Sequence, residues 1–233
     1  MKNLILVLFI SFSHLTINGQ VVIKKNGGES RTENSLIMEG LRVDNFKAND
    51  LEYGDIKGSP YLEKESLRGY LIMIDEKKTE TVTLQYDIYS NEFFHINNKG
   101  EEIVIDIKLI RELIMQGKEE AYVFKRINPR KPLKFYEVLY ESDGLDIFND
   151  LQVNFYEGKD QGIAKIDPRF SRDNNYYVQL KGKDVKKIKL KKKYVYKLFS
   201  KEEQKRMDAL SKELNLKLKK SKDFKKLFDA MKG

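Results

Sequence analysis

Histidine and cysteine, the side chains that most often supply bases, nucleophiles and metal ligands near neutral pH, are almost absent. The 233 residues hold two histidines, His14 and His95, and no cysteine. A Cys nucleophile, a Cys-based zinc site, a disulfide scaffold and a lipoprotein anchor are thereby excluded. His14 falls in a segment read below as a leader, so a Ser-His-acid triad would have to use His95. That residue sits in FFHI, on a predicted strand face opposite to Phe94 and Ile96, and is read as a hydrogen-bonded or surface histidine rather than a base. Zinc catalysis usually needs several histidines, no window has the DxDxDG calcium-loop spacing, and neither GxxxxGK[ST] nor GxGxxG occurs. Carboxylates remain. Glycoside hydrolysis needs two acids at a set separation, and Glu101, Glu102, Glu137, Glu141 and Asp143 are available. Neighbours on a strand point to opposite faces, however, and the absence of Trp removes a common sugar-stacking platform. The expectation is no catalytic residue, no metal and no cofactor.

Charge is the strongest nonrandom feature. Residues 181–233 carry 20 Lys and Arg against 7 Asp and Glu, while the rest of the chain carries 24 against 29. The peak is KKIKLKKK, with Lys186, Lys187, Lys189, Lys191, Lys192 and Lys193 within eight residues. On a strand, Lys187, Lys189, Lys191 and Lys193 would share one face, with Ile188 and Leu190 on the other. Such a patch raises the local concentration of anionic partners. Lysine without arginine lacks the fork that reads bases, and export would keep the chain from nucleic acid. The expected partners are an envelope protein or an anionic membrane or lipopolysaccharide surface. The alternative is a solvated face that aids solubility.

These residues need elements to hold them. Val82, Leu84, Tyr86 and Ile88 alternate with polar residues at period two, the signature of a half-buried strand. Phe93–Ile96, Ile103–Ile107, Tyr122–Ile127, Phe135–Tyr140, Leu145–Phe148, Leu151–Tyr156, Tyr176–Leu180 and Val185–Leu190 are further short candidates, most of them separated by turn residues such as Asn97–Gly100 and Ser142–Gly144. Lys108–Met115 fits either state and is read as a strand, since β-branched residues precede it. Short connections favour antiparallel pairing. The last forty residues read as helices: a short one over Tyr194–Phe199, a second capped by Ser200 with Glu203 three residues on, and a third from Ser221. Met207, Leu210 and Leu214 form one stripe. Phe224, Leu227, Phe228 and Met231 form another at i, i+3, i+4 and i+7. Both are expected to dock onto the sheet.

At the other end, Lys2 and the nine-residue apolar run Leu4–Phe12 read as a secretory signal peptide cut between Gly19 and Gln20. The run is about half the ~20 residues a spanning helix needs; an uncleaved anchor is the alternative. Residues 20–57 are polar and weakly patterned, and Gly58-Ser59-Pro60 opens the ordered part.

The runs GSPYL (Gly58–Leu62), LRGYLI (Leu67–Ile72), LQYDIYSNEFFHI (Leu84–Ile96) and KFYEVLYES (Lys134–Ser142) carry a resemblance. So do Arg169, Phe170, Tyr176, Tyr177, Leu198, Phe199 and the break NLKLKKSKDF (Asn215–Phe224). Over about residues 58–232 the chain resembles a family of exported Bacteroidetes proteins with GTPYL-, LRYNIYND- and YFEVL-type motifs. It departs from them at Gln85 and Asp87, where Arg and Asn are commoner. The resemblance implies compartment and architecture and carries over no catalytic residue, because the family has no established activity.

The expectation is therefore an exported α+β protein, periplasmic or associated with the outer membrane: a signal peptide (1–19), a weakly structured segment (20–57), an antiparallel β body that is a meander, sandwich or open barrel (58–192), and basic C-terminal helices packed on it (193–233). The leading function is a noncatalytic interaction or structural module of the envelope with no transmembrane segment after cleavage. The alternative is a carboxylate-based hydrolase acting on an envelope or extracellular substrate. A concave pocket with converging acids would mark the enzyme; a charged patch or an exposed sheet edge would mark the module.

Overall fold

The structure, a computed structural model, describes residues 56–127, 134–160 and 165–232. The expected signal peptide and nearly all of the expected weakly structured segment lie outside these residues.

The alternating segments form one ten-stranded antiparallel sheet. Its strands are β1 (Leu67–Met73), β2 (Val82–Asp87), β3 (Glu92–Ile96), β4 (Glu102–Val104), β5 (Ile110–Gln116), β6 (Ala121–Lys125), β7 (Tyr136–Glu141), β8 (Leu145–Tyr156), β11 (Arg169–Leu180) and β12 (Lys186–Ile188). A separate two-stranded hairpin, β9 (Lys159–Asp160) with β10 (Lys165–Ile166), lies between β8 and β11 in sequence. The spatial order is β12-β11-β8-β7-β6-β5-β1-β2-β3-β4. The chain meanders outward from β1 to β4. It returns through a 3₁₀ turn at Ile107–Leu109, capped by the Asp106 side chain, and lays β5 on the free side of β1. The ambiguous segment is thus that turn followed by a strand.

Aromatic contacts show that the sheet is rolled. Four strand spacings separate β6 from β3, roughly 19 Å in a flat sheet, yet the rings of Phe124 and Phe93 lie 5.6 Å apart. Phe93 also stacks on Tyr86 at 4.1 Å and meets Phe135 edge-on at 5.8 Å. Leu71, Leu84, Ile110, Leu113 and Met115 fill the same concave core. The segment before β1 ties the roll across one end. Lys57 exchanges backbone bonds with Pro168 and Phe170, and the Pro60–Leu62 stretch exchanges them with Tyr86 and Ile88. Gly58 makes this possible. Its φ is +89°, and a Cβ there would stand 2.6 Å from the Phe170 carbonyl oxygen, so only glycine fits.

Along β8 every second side chain faces inward: Leu145, Ile147, Asn149, Leu151, Val153, Phe155. The last three belong to the rolled core. Leu145 and Ile147 belong to a second core, roofed by the C-terminal helices. An irregularity in β7 at Leu139 turns both Leu139 and Tyr140 toward that second core, as a bulge does. The helices are α1 (Lys192–Val195), continued by a 3₁₀ turn at Tyr196–Leu198, then α2 (Lys201–Glu213) and α3 (Ser221–Lys232). Ser200 and Glu203 form a reciprocal capping box: the Ser200 hydroxyl accepts from the Glu203 N–H, and the Glu203 carboxylate accepts from the Ser200 N–H at 2.7 Å. Phe224, Leu227 and Phe228 are fully buried and Met231 packs at the edge. In the other stripe Met207 is buried and Leu210 partly so, but Leu214 is 44% exposed. α2 ends at Glu213 and Asn215 takes a left-handed φ of +50°, which swings the chain away before Leu214 can dock. The fold is α+β, with an antiparallel β-rich body and a small C-terminal helical region. Among the described residues no helix is long and apolar enough to cross a membrane.

Candidate functional site

The six lysines do not lie along one strand. β12 covers only Lys186–Ile188 and pairs at the sheet edge, with Lys186 opposite Val178, Lys187 opposite Tyr177 and Ile188 opposite Tyr176. Lys186 and Ile188 therefore share a face, and Lys187 points the other way. Leu190 is buried against the helical core, which pulls the chain off the edge. Lys189 and Lys191 fall in the connection, and Lys192 and Lys193 open α1. The expected alternation over Lys187, Lys189, Lys191 and Lys193 is corrected accordingly: burying Leu190, Val195 and Tyr196 ends the strand early.

What the segment presents is a ribbon of cations around one corner. Lys192 is engaged, 2.6 Å from Asp208 and over the Tyr196 ring. The hydrogen bond from Lys192 holds the Asp208 carboxyl below its ordinary range. Lys193 lies over the Tyr194 ring at 5.2 Å. Lys186, Lys187, Lys189, Lys191 and Lys193 are exposed, and none has an ion-pair partner among the described residues.

The acids flagged in the sequence mostly disperse. Glu141 pairs with Lys125 at 2.8 Å, Asp143 with Lys181 at 2.9 Å, and Glu101 accepts from Asn97 in a turn. Glu102 begins the β4 edge. His95, on β3, has Nδ1 3.3 Å from the Thr83 carbonyl oxygen. Among the described residues no group of three or more His, Asp or Glu is arranged to hold a metal ion.

Glu137 is the exception. It lies on β7 opposite both Phe124 and Asn149, at the seam between the two cores. There the N-terminal half of α3 crosses the sheet, and a half-enclosed cavity of about 140 Å³ remains. Glu120, in the β5–β6 turn, closes one side and Leu62 another. Ser221, Lys225 and Phe228 lie at i, i+4 and i+7 on one face of α3, so docking Phe228 carries Lys225 into the seam. Its ammonium donates to the Ala121 carbonyl oxygen and lies 3.6 Å from Glu137 Oε1 and 3.8 Å from Glu120 Oε2. The two carboxyls thus face each other across a lysine. The Asn149 amide donates to Glu137 Oε2 at 2.8 Å. Tyr122 donates to Glu63 at 2.5 Å, and both burial and that carboxylate push its phenol well above the usual range. Arg172 reaches into the same region and donates to the Tyr61 and Leu62 carbonyls. Lys222 and Lys226 pin α3 to the β5–β6 turn through Glu119, whose carboxyl is held low by those bonds.

Burial pushes the Glu137 carboxyl above its ordinary 4.5, with the Lys225 charge and the Asn149 amide opposing. An acid of raised pKa beside a second carboxylate is a pattern of acid catalysis. Here, however, the ammonium stands between the acids where a substrate bond would have to lie. Glu120, Asn149, Asn174, Arg172 and Lys225 carried no signal in the sequence beyond one: Lys225 shares a helical face with the apolar stripe, unusual for a lysine. No known protein family, curated protein or solved structure matches the chain.

Proposed function

We propose that this is an exported, noncatalytic interaction module of the bacterial cell envelope that docks on an anionic surface through the Lys186–Lys193 ribbon. The observation that carries the reading is the contrast within that ribbon. Lys192 is neutralised by Asp208, while the other five side chains are exposed and have no ion-pair partner among the described residues. Like charges so close together repel, and a layer of phosphates or carboxylates relieves that repulsion. Spread over a strand edge, a connection and a helix start, the charges suit a broad headgroup layer better than a shaped acidic pocket. Edge lysines also oppose addition of another strand at β12, which weakens a reading as a strand-pairing module. The test is binding to anionic and neutral liposomes, and to envelope extracts, with Lys187, Lys189, Lys191 and Lys193 changed together to Gln. Loss confined to anionic liposomes supports the headgroup surface; loss confined to extracts points to an acidic envelope protein.

A second reading, the carboxylate hydrolase, rests on the raised pKa of Glu137 beside Glu120 alone, and the Lys225 ammonium between the two acids opposes it. Glu137→Gln with retained fold would abolish such an activity, whereas it leaves liposome binding unchanged.

A further inference from the structure

The cavity at the seam contains more acceptors than the protein satisfies. Asn149 is 1% exposed, and its donation to Glu137 fixes the amide so that Oδ1 is left over. That oxygen, Asn174 Oδ1 and Glu120 Oε2 are all buried without a hydrogen-bond donor, and all three residues line the cavity. A buried acceptor left empty is costly, so three of them around one void call for a molecule that donates. Lys225 adds unused donor capacity, since its distances to both carboxylates exceed hydrogen-bonding range.

Charge decides what kind of molecule fits. A cation would meet the Lys225 ammonium, with Arg172 and Lys222 also on the lining. An anion would meet the Glu120 and Glu137 carboxyls. A neutral molecule carrying several hydroxyls meets neither objection, because each hydroxyl both donates and accepts. It could supply the three orphan oxygens and accept from Lys225. The remaining lining is Ser221 and, as an apolar surface suited to the C–H face of a ring, Tyr122 with Leu62, Leu139 and Leu151. About 140 Å³ is small beside the ~300 Å³ at which pockets for drug-sized ligands begin; it is the room of about four or five waters at ~30 Å³ each, which the hydroxyls of one ring would displace together.

We propose that the seam between the rolled sheet and α3 is a binding site for a single neutral sugar ring, recognised through Asn149, Asn174 and Glu120. The site is independent of the lysine ribbon, so the failure of either reading leaves the other standing. The test titrates the purified protein with glucose and N-acetylglucosamine as neutral rings, and with glucosamine and glucuronate as cationic and anionic counterparts, using saturation-transfer NMR and calorimetry. At least one neutral ring is expected to bind, with both charged rings at least about tenfold weaker. Asn174→Ala, on the partly exposed β11 position, is expected to weaken that binding about tenfold, the loss of one or two hydrogen bonds, with circular dichroism unchanged. Asn174→Asp adds a negative charge at that partly exposed position of the lining and is expected to shift preference from the neutral ring toward glucosamine, a change that loss of packing alone would not produce. No binding of either neutral ring, equal or tighter binding of a charged ring, or wild-type affinity in a folded Asn174→Ala would each overturn the proposal, leaving a water-filled void.

Discussion

One lysine and a group of five in the same forty-residue stretch meet opposite fates. Lys225 is 6% exposed, held by a carbonyl and faced by two carboxyls at the seam of the cores. Lys186, Lys187, Lys189, Lys191 and Lys193 are exposed along the edge strand, the connection and the start of α1, with no ion-pair partner among the described residues. The residue type is the same; the difference lies in what the chain next to each must bury. Phe224, Leu227 and Phe228 commit α3 to the sheet and take Lys225 with them. Leu190 buries itself between the ribbon lysines and Val195 just after them, so the lysine side chains splay outward. Buried charge is specific and costly, so it marks a place where the fold makes room for something. Exposed charge is cheap and collective, so it marks a surface.

Removing the anchor is the severest way to break this contrast. Phe228→Ala takes a fully buried ring out of the second core and is expected to destabilise by roughly 3–5 kcal/mol, read as a lowered midpoint in chemical denaturation. An unchanged midpoint would mean that α3 does not dock, and both the seam and its lysine would fall with it.

Lys225→Met isolates the buried charge. It leaves Glu137 without its cation, so a loss of about 3 kcal/mol is expected at neutral pH. The loss should shrink in acid, where Glu137 is neutral. The sign follows from the raised folded pKa. The native state holds the Glu137 proton more tightly than the unfolded chain, so this group's contribution is fully present below about 4.5 and is lost as pH rises through the higher folded value. Glu137→Gln should flatten that part of the stability–pH profile. Asp208, held low by Lys192, contributes in the opposite sense, with stability lost as pH falls through its folded value. A Lys225→Met cost that does not vary with pH would show that Glu137 is not the group left unpaired.

Ser200→Ala removes the capping box of α2 and should cost about 1 kcal/mol. The effect belongs to the helical roof alone and should leave ligand and liposome binding untouched; a change in either would show that the roof and the sites are coupled.

Much of the scaffold was legible in advance because its signals are local. Period-two alternation marked β2, and short apolar runs between turn residues marked β3 and β7. Ser200 with Glu203 marked the start of α2, and the Phe224–Phe228 spacing marked the face of α3. The site was illegible for a related reason. The sequence suggests two strands, Leu145–Phe148 and Leu151–Tyr156, because Asn149-Asp150 resembles a break. In the structure β8 runs through, with Asn149 turned to the cavity and Asp150 to Lys134 on the opposite face, 2.7 Å away. Likewise the polar run from Arg169 to Asn175 shows no apolar alternation, yet it pairs residue by residue with β8. Pattern reading discounts polar residues inside strands, and those are the residues that line the seam. The edge lysines misled differently. Their alternation is real in sequence, but burial of Leu190 ends the strand after three residues.

The ribbon should matter least to stability and most to binding. Changing Lys187, Lys189, Lys191 and Lys193 together to Gln should leave the melting temperature unchanged, since no described acid loses a partner. The most direct test of the central claim is therefore co-sedimentation of the native protein and this variant with anionic liposomes across a salt series. The Debye length shrinks from about 10 Å at 0.1 M to about 3 Å at 1 M, so native binding should be strong at low salt and fall steeply over that range, while the variant binds weakly throughout. Equal binding by the two proteins at low salt would contradict the account and leave the lysines as a solvated edge.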